Sequence, residues 1–128
     1  MFYPQLVIAI VLLTTHSALS ESYREIVAAC YKEAGLTGDP DTLNFNDPDF
    51  SKETKCAVAC TLEKQGVLKP DGSIDRKMEK EIPEEVVKDE KLKNKYLQAI
   101  EECHNVSAKE DRCEIAFLYM KCLYNSLL

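Results

Sequence analysis

Cys113-Glu114-Ile115-Ala116-Phe117-Leu118-Tyr119-Met120-Lys121-Cys122 is the stretch whose reading decides the fold. Eight of its ten residues are apolar, counting Cys, Ala and Tyr, and none is Gly or Pro. Upstream, Ser107-Ala108-Lys109-Glu110 has the form of a capping box, so a helix is predicted to start near residue 108. Its apolar side chains cover nearly every angle, which marks a buried helix with other elements packed about it. At about 100° per residue, Cys113 and Cys122 fall on opposite faces. If both are bridged, the helix is stapled to neighbours on two sides. It is the axis of a small disulfide-bonded helical protein.

Outward from that axis, residues 1–20 stand apart. Leu6 to Leu13 is an eight-residue apolar run, and Ala18-Leu19-Ser20 places small residues at the −3 and −1 positions. This is the pattern of a secretory signal peptide cleaved after Ser20. A membrane span needs roughly 20 apolar residues, so stable membrane insertion is not expected. Residues 21–128 then form one domain. Every Lys, Arg, Asp and Glu lies within it, and the net charge is −6. That acidity, without a basic cluster, argues against nucleic acid as a partner. All six cysteines fall in the secreted part, and an even number in a small secreted chain reads as three disulfides.

In chain order, Ser22-Tyr23-Arg24-Glu25 is a second capping box, opening a helix that Gly35 closes. Residues 36–50 are rich in Pro, Gly and Asp and read as a loop with one turn near Leu43. The aspartates do not have the spacing of a calcium loop, so no metal is expected there. Ser51 to Gln65 is a helix ended by Gly66, and it carries Cys56 and Cys60 one turn apart on one face. Their parallel Cβ directions disfavour a bond between them, so they clamp different neighbours. After a turn over 67–72, Ser73 begins a short helix with the stripe Ile74, Met78 and Ile82, stopped by Pro83. Between Pro83 and Asn105 runs an amphipathic pattern: Leu92, Tyr96, Ala99, Ile100 and Cys103 on one face, charges on the other. Asn105-Val106-Ser107 is a glycosylation sequon, which makes Asn105 a candidate acceptor.

The cysteine spacing carries the strongest signal: Cys30-x25-Cys56-x3-Cys60-x42-Cys103-x9-Cys113-x8-Cys122. It closely resembles that of insect odorant-binding proteins of the six-cysteine type, the pheromone- and general-odorant-binding family. The x3 and x8 intervals, the most fixed in that family, both stand in this chain. The resemblance implies an all-α domain of six helices around an internal apolar cavity. It also implies the pairs Cys30–Cys60, Cys56–Cys113 and Cys103–Cys122, a choice that six cysteines alone leave open. The implied function is a secreted, extracellular carrier of a small hydrophobic ligand. It would take odorants or pheromones through aqueous fluid, with a chemosensory receptor as a further partner and a monomer or weak homodimer as its state. The same fold used in haemolymph, gland or venom is an alternative, as is a helical interaction protein with a filled core. Acid-triggered release, also implied, fits carboxylates whose stabilisation is lost as pH falls.

A carrier of this kind has a physical problem to solve. Holding ~300 Å³ open costs on the order of 7 kcal/mol at the rate seen for core cavities. Three disulfides at roughly 2–4 kcal/mol each offset that cost. The candidate ligand-binding residues are inward apolar positions: Ile74, Met78, Ile82, Leu92, Tyr96, Ile100, Phe117, Met120 and Tyr124. The methionines suit varied ligands because a thioether repacks easily. Each is equally at home as plain core. Catalysis is not expected, since residues 21–128 contain a single histidine, His104, and no spare thiol to pair with it. No cofactor is expected, and zinc on Cys56, Cys60 and His104 would need reduced thiols. Finally, Tyr124, Leu127 and Leu128 are expected either to fold back as a short lid over a pocket opening, because leucines left in water forgo burial energy, or to fill an outer groove or fray as chain ends commonly do.

Overall fold

The computed structural model describes residues 18–105 and 111–127. These residues form five α-helices: α1 (Ala18–Glu33), α2 (Lys52–Lys64), α3 (Arg76–Val86), α4 (Glu90–Cys103) and α5 (Arg112–Leu127). The count among the described residues is therefore five, against an expected six. The Pro- and Asp-rich segment after α1 makes only a single 3₁₀ turn, Pro40–Thr42.

Local chemistry sets the ends of these helices. Ser51, Asp75 and Asp89 each sit in extended backbone just before a helix and accept a hydrogen bond from an N–H of its first turn. Asp111 does the same for α5, its Oδ1 accepting from the Glu114 N–H at 2.9 Å. The axis helix thus opens at Arg112 on an Asp cap, four residues later than the capping box at Ser107 suggested; residues 106–110 lie outside the described residues. At the other ends, Gly35 and Gly66 adopt φ of +74° and +78°. That left-handed step lets the next residue's N–H reach back to the last helical turn, Leu36 to the Tyr31 carbonyl and Val67 to the Leu62 carbonyl, both at 2.9 Å. At the front of α1, helix continues through Ser22 to Ala18, so Ser22 is not its first cap.

Packing follows an order different from the sequence. α5 lies at the centre, with its broadest interface against α2 and another against α4; α1 packs on α2, and α3 on α4. Cys113, Ile115, Ala116, Phe117, Tyr119, Met120, Leu123, Tyr124 and Leu127 of α5 are all buried, so the helix is enclosed nearly all round. Disulfides follow the same order. Cys30–Cys60 ties α1 to α2, Cys56–Cys113 ties α2 to α5, and Cys103–Cys122 ties α4 to α5. These are the pairs that the family resemblance implies. Only α3 among the five has no disulfide.

Three expectations fail, two at α3 and one at the tail. Pro83 does not stop α3, which continues to Val86. Proline forfeits one bond, to the Glu79 carbonyl, but its ring is fully buried, and the packing offsets the loss. Ile74 is not helical either; it pairs across a one-residue β-bridge with Leu68. The tail does not fold back as a lid. Residues 123–127 simply complete α5, with Tyr124 and Leu127 buried, while Leu128 lies outside the described residues. The end of α5 is sewn to the 44–46 loop: Asn46 and Asn125 exchange amide hydrogen bonds at 2.8 and 3.2 Å, and the Tyr124 hydroxyl donates to Asn44 Oδ1 at 3.3 Å.

The bridges close loops of unequal length: 57 residues for Cys56–Cys113 and 19 for Cys103–Cys122. Chain entropy alone makes each contribute about 3–4 kcal/mol, the longer loop more. The double substitution Cys56→Ala/Cys113→Ala is expected to lower the free energy of unfolding by that amount. Cys103→Ala/Cys122→Ala should cost less, and denaturant titration of both variants checks the order.

Candidate ligand-binding site

Among the described residues, two adjoining hollows share part of their lining. Between α1 and the 35–40 segment lies a groove of about 600 Å³, with Arg24, Lys32 and Asp39 on its rim. Val27, Tyr31 and Pro40 form a wall common to this groove and to a smaller recess behind it. The recess is about 30 Å³, roughly one water's share of liquid volume, and its sides are Leu43, Phe45, Ala57, Val58, Leu62 and Met120. Thr61 also faces it, but its hydroxyl is spent on the Ala57 carbonyl at 3.0 Å, which leaves a methyl to the recess. The groove has the volume of a small-molecule site, and the recess has the apolar lining of one.

Beside the recess is a cluster of rings. Phe45 stacks on Phe50 with centroids 5.3 Å apart, Phe50 meets Phe117 at 4.8 Å, and Phe45 meets Tyr124 at 5.8 Å. Lys55 Nζ stands 4.3 Å over the Phe117 ring and bonds Glu114 at 3.1 Å, so the cation is held on both sides. The loop carrying Phe45 and Phe50 is thereby anchored to α5, which fixes the recess walls.

A second interior feature is polar. Glu79 of α3 is buried, 3 % exposed, and Tyr119 of α5 is 0 % exposed. Among the described residues neither Glu79 Oε2 nor the Tyr119 hydroxyl has a well-aligned hydrogen-bond partner, although the two groups face each other closely enough for an O–H···O interaction between them. Burial pushes the Glu79 carboxyl up to about 7, with the Tyr119 hydroxyl pulling the other way. Burial, then the charges of Glu79 and Tyr96, drives the Tyr119 phenol far above its ordinary range.

The nine apolar candidates divide among these surroundings. Tyr96, Ile100, Phe117, Met120 and Tyr124 are buried in one core, with Ile74 packed against it. Met120 lines the recess, and Phe117 and Tyr124 belong to the ring cluster. Tyr96 carries its charge influence to Tyr119, beside Glu79. Leu92 and Ile82 are half-buried, and Ile74 also edges a surface depression among Lys69, Arg76 and Lys80. Met78 is 39 % exposed, its thioether end lying over Gly66. Asn105 is exposed, while Val106 and Ser107 of its sequon lie outside the described residues. His104 caps α4, its Nδ1 2.7 Å from the Glu101 carbonyl. No group of three or more His, Cys, Asp or Glu suited to a metal occurs among the described residues.

With the frame and pocket geometry in place, comparison with known proteins is decisive. The profile of the PBP/GOBP family matches residues 13–126. The chain belongs to the PBP/GOBP family. General odorant-binding protein 19d of Drosophila melanogaster is similar to it, 26% identical over 105 residues, which cover 80% of this chain and 70% of that relative. No solved structure gives a significant match. This PBP/GOBP chain is thus an insect odorant-binding protein, all-α and disulfide-bonded, and its family consists of carriers rather than enzymes.

Glu79 was not among the residues singled out from sequence. The stripe Ile74, Met78, Ile82 and the observed buried set Glu79, Pro83, Val87 differ by a shift of one residue, about 100° around the helix. A carboxyl on the inward face has a measurable consequence. Because its folded-state value is raised, the acid's contribution to stability is fully present below its ordinary value of 4.5 and is lost as pH rises through about 7. The loss amounts to about 3 kcal/mol at most. Glu79→Gln is expected to flatten that decline, so denaturant midpoints of the two proteins should separate as pH rises from about 4.5 to about 7 and stay apart above it, the variant being the more stable.

Proposed function

We propose that this protein is a secreted carrier that takes a small hydrophobic ligand, an odorant or pheromone, into its interior and carries it through aqueous fluid to chemosensory receptors. What supports this is family membership together with the apolar recess at the back of a ligand-sized groove, inside a frame tied by three disulfides. The ligand enters over Val27, Tyr31 and Pro40 and widens the recess by displacing Met120, whose unbranched side chain repacks at little cost. Phe117, Tyr96, Ile100 and Tyr124 extend the wall from the same core.

Secretion rests on the Leu6–Leu13 run and the Ala18-Leu19-Ser20 processing pattern. Cleavage after Ser20 removes the first residues of α1. Ser22 and Glu25 then lie near the new helix start, in the sequence order of a capping box. No described helix is long and apolar enough to cross a membrane.

One observation favours a second reading. A recess of about 30 Å³ holds no odorant as it stands, which suits a helical interaction protein with a filled core. The two readings part on a single measurement. The oxidised protein is expected to bind N-phenyl-1-naphthylamine saturably at micromolar concentration and to lose that binding on full reduction. Absence of saturable binding by the oxidised form would select the filled-core protein.

A further inference from the structure

The groove beside α1 carries charge as well as an apolar wall. Arg24, Ala28 and Lys32 all line it, are exposed, and stand four residues apart, so they form one row along the helix. Arg24 and Lys32 are about 12 Å apart along the axis, and their extended side chains can meet over the small Ala28. Neither makes an ion pair among the described residues, whereas Lys55, Lys64, Arg76, Lys80 and Arg112 all do. Asp39 is the single acid among the lining residues, and Glu33, next to Lys32, is turned to Lys64 at 3.2 Å. Two cations against one acid leave the lining positive in a chain whose net charge is −6. Exposed charges on a helix are ordinarily a solvated face. These two flank a hollow instead. Gly35, at φ +74°, turns the chain away from α1, and Leu36 and Pro40 close the groove's other side. A Cβ built on Gly35 or Gly38 would meet no atom within 4 Å, which leaves that side roomy. Val27, Tyr31 and Pro40 carry the wall on into the recess. Carbonyls at the end of a helix repel an anion, but here those of Cys30, Tyr31 and Lys32 accept N–H groups from Ala34, Leu36 and Gly35 at 3.1, 2.9 and 3.1 Å.

We propose that this groove takes an apolar chain ending in a carboxylate, and that Arg24 and Lys32 hold the acid head. This rests on the carrier reading given above and names its ligand class. The carboxylate sits over Ala28 at the solvent edge. There the planar Arg24 guanidinium donates two parallel N–H bonds to its oxygens, and the Lys32 ammonium supplies a second, point-like charge. At the rim the head keeps part of its hydration, which avoids the cost of burying a charge. The alkyl chain lies against Val27, Leu36 and Pro40 and runs toward the recess, where Met120 gives way. An alcohol of the same chain length keeps the apolar contacts and loses the charge-assisted ones. The head group is thus selected at the rim and the chain in the recess.

The test compares decanoate and 1-decanol, equal in chain length, as competitors of N-phenyl-1-naphthylamine on the oxidised protein at neutral pH and low salt. The wild type is expected to prefer decanoate by about fivefold, the scale of an ion pair at a solvent edge. At about 1 M salt, where the screening length falls to about 3 Å, the preference should shrink. In Arg24→Gln/Lys32→Gln it should vanish, while affinities for the probe and for 1-decanol stay within about twofold of wild type. Both positions are exposed, so the denaturant midpoint of this variant is expected to match the wild type, which shows that a lost preference is not a lost fold. Arg24→Glu/Lys32→Glu should reverse the order of the two competitors. Lys69→Gln/Lys77→Gln, in the separate depression beside α3, should leave the preference unchanged. Equal competition by the two compounds in the wild type overturns the inference and leaves the carrier reading intact, with a neutral ligand. A preference that survives Arg24→Gln/Lys32→Gln, or that falls with Lys69→Gln/Lys77→Gln instead, overturns it as well, because the anion is then held elsewhere. Failure of the probe to bind at all overturns the carrier reading, and the inference with it.

Discussion

Cys56 and Cys60, four residues apart on one face of α2, are the constraint on which the remaining structure depends. One turn of helix separates them, so their side chains leave α2 in nearly the same direction and cannot serve one another. Cys60 takes Cys30 of α1, and Cys56 takes Cys113 at the start of α5. α2 is thereby fixed between two helices distant from it in sequence. Because Cys122 lies half a turn out of phase with Cys113, the far face of α5 is free to take α4 through Cys103. Three helices, α1, α2 and α4, are thus locked about α5 by covalent ties that act chiefly by limiting the unfolded chain.

That economy of ties lets the interior be less than perfectly packed. The groove behind α1 and the recess at Met120 sit where the 36–50 loop, rather than a helix, completes the wall. A loop in that place would drift without anchors. Phe45 and Phe50 supply them by stacking against Phe117 and Tyr124, and Asn44 and Asn46 bond to Tyr124 and Asn125 at the end of α5. Rings contribute large buried areas with few rotatable bonds, which suits a segment without regular hydrogen bonding. The last helix therefore does two things. Its first turn fixes α2, and its last turn fixes the loop that bounds the recess.

Much of this was legible in the sequence because local chemistry and tertiary demand agree. Ser51, Gly35 and Gly66 mark helix ends by side-chain capping and by positive φ, which depend on near neighbours only. The axial place of residues 113–122 follows from their all-round apolarity. The disulfide pairing came from likeness to a family and not from the residues themselves. What could not be read depends on distant packing. The apolar stripe of α3 pointed to Met78, yet Glu79 and Pro83 face inward, because Ile74 is held in a β-bridge with Leu68 and the helix starts only at Arg76. A buried acid contradicts every local rule, and such contradictions concentrate where a protein binds something. The tail was misread for a related reason. Its leucines needed burial, but the surface that buries Leu127 belongs to α5's neighbours and not to a separate lid.

Charge and fold meet at α3. Three exposed carboxyls have values held below the ordinary range: Asp71 by its bonds to Ser73, Glu101 by Lys80 and then Arg76, and Asp111 by the Glu114 N–H. What they contribute is present above the ordinary carboxylate range and lost as pH falls through their lowered values. Being fully exposed, each is a small effect. Glu79 has the opposite sign, and its contribution is lost as pH rises through about 7. Two of the three surface groups bear on α3: Asp71 orders the turn that leads into it, and Glu101 ties Lys80 and Arg76 to α4. Acid thus loosens the outer attachments of α3, while alkali charges its inner face. The other four helices are held by disulfides that pH does not break. The helix that carries the buried acid is therefore the one that protons can move, and α3 is where pH sensitivity of this fold must be sought.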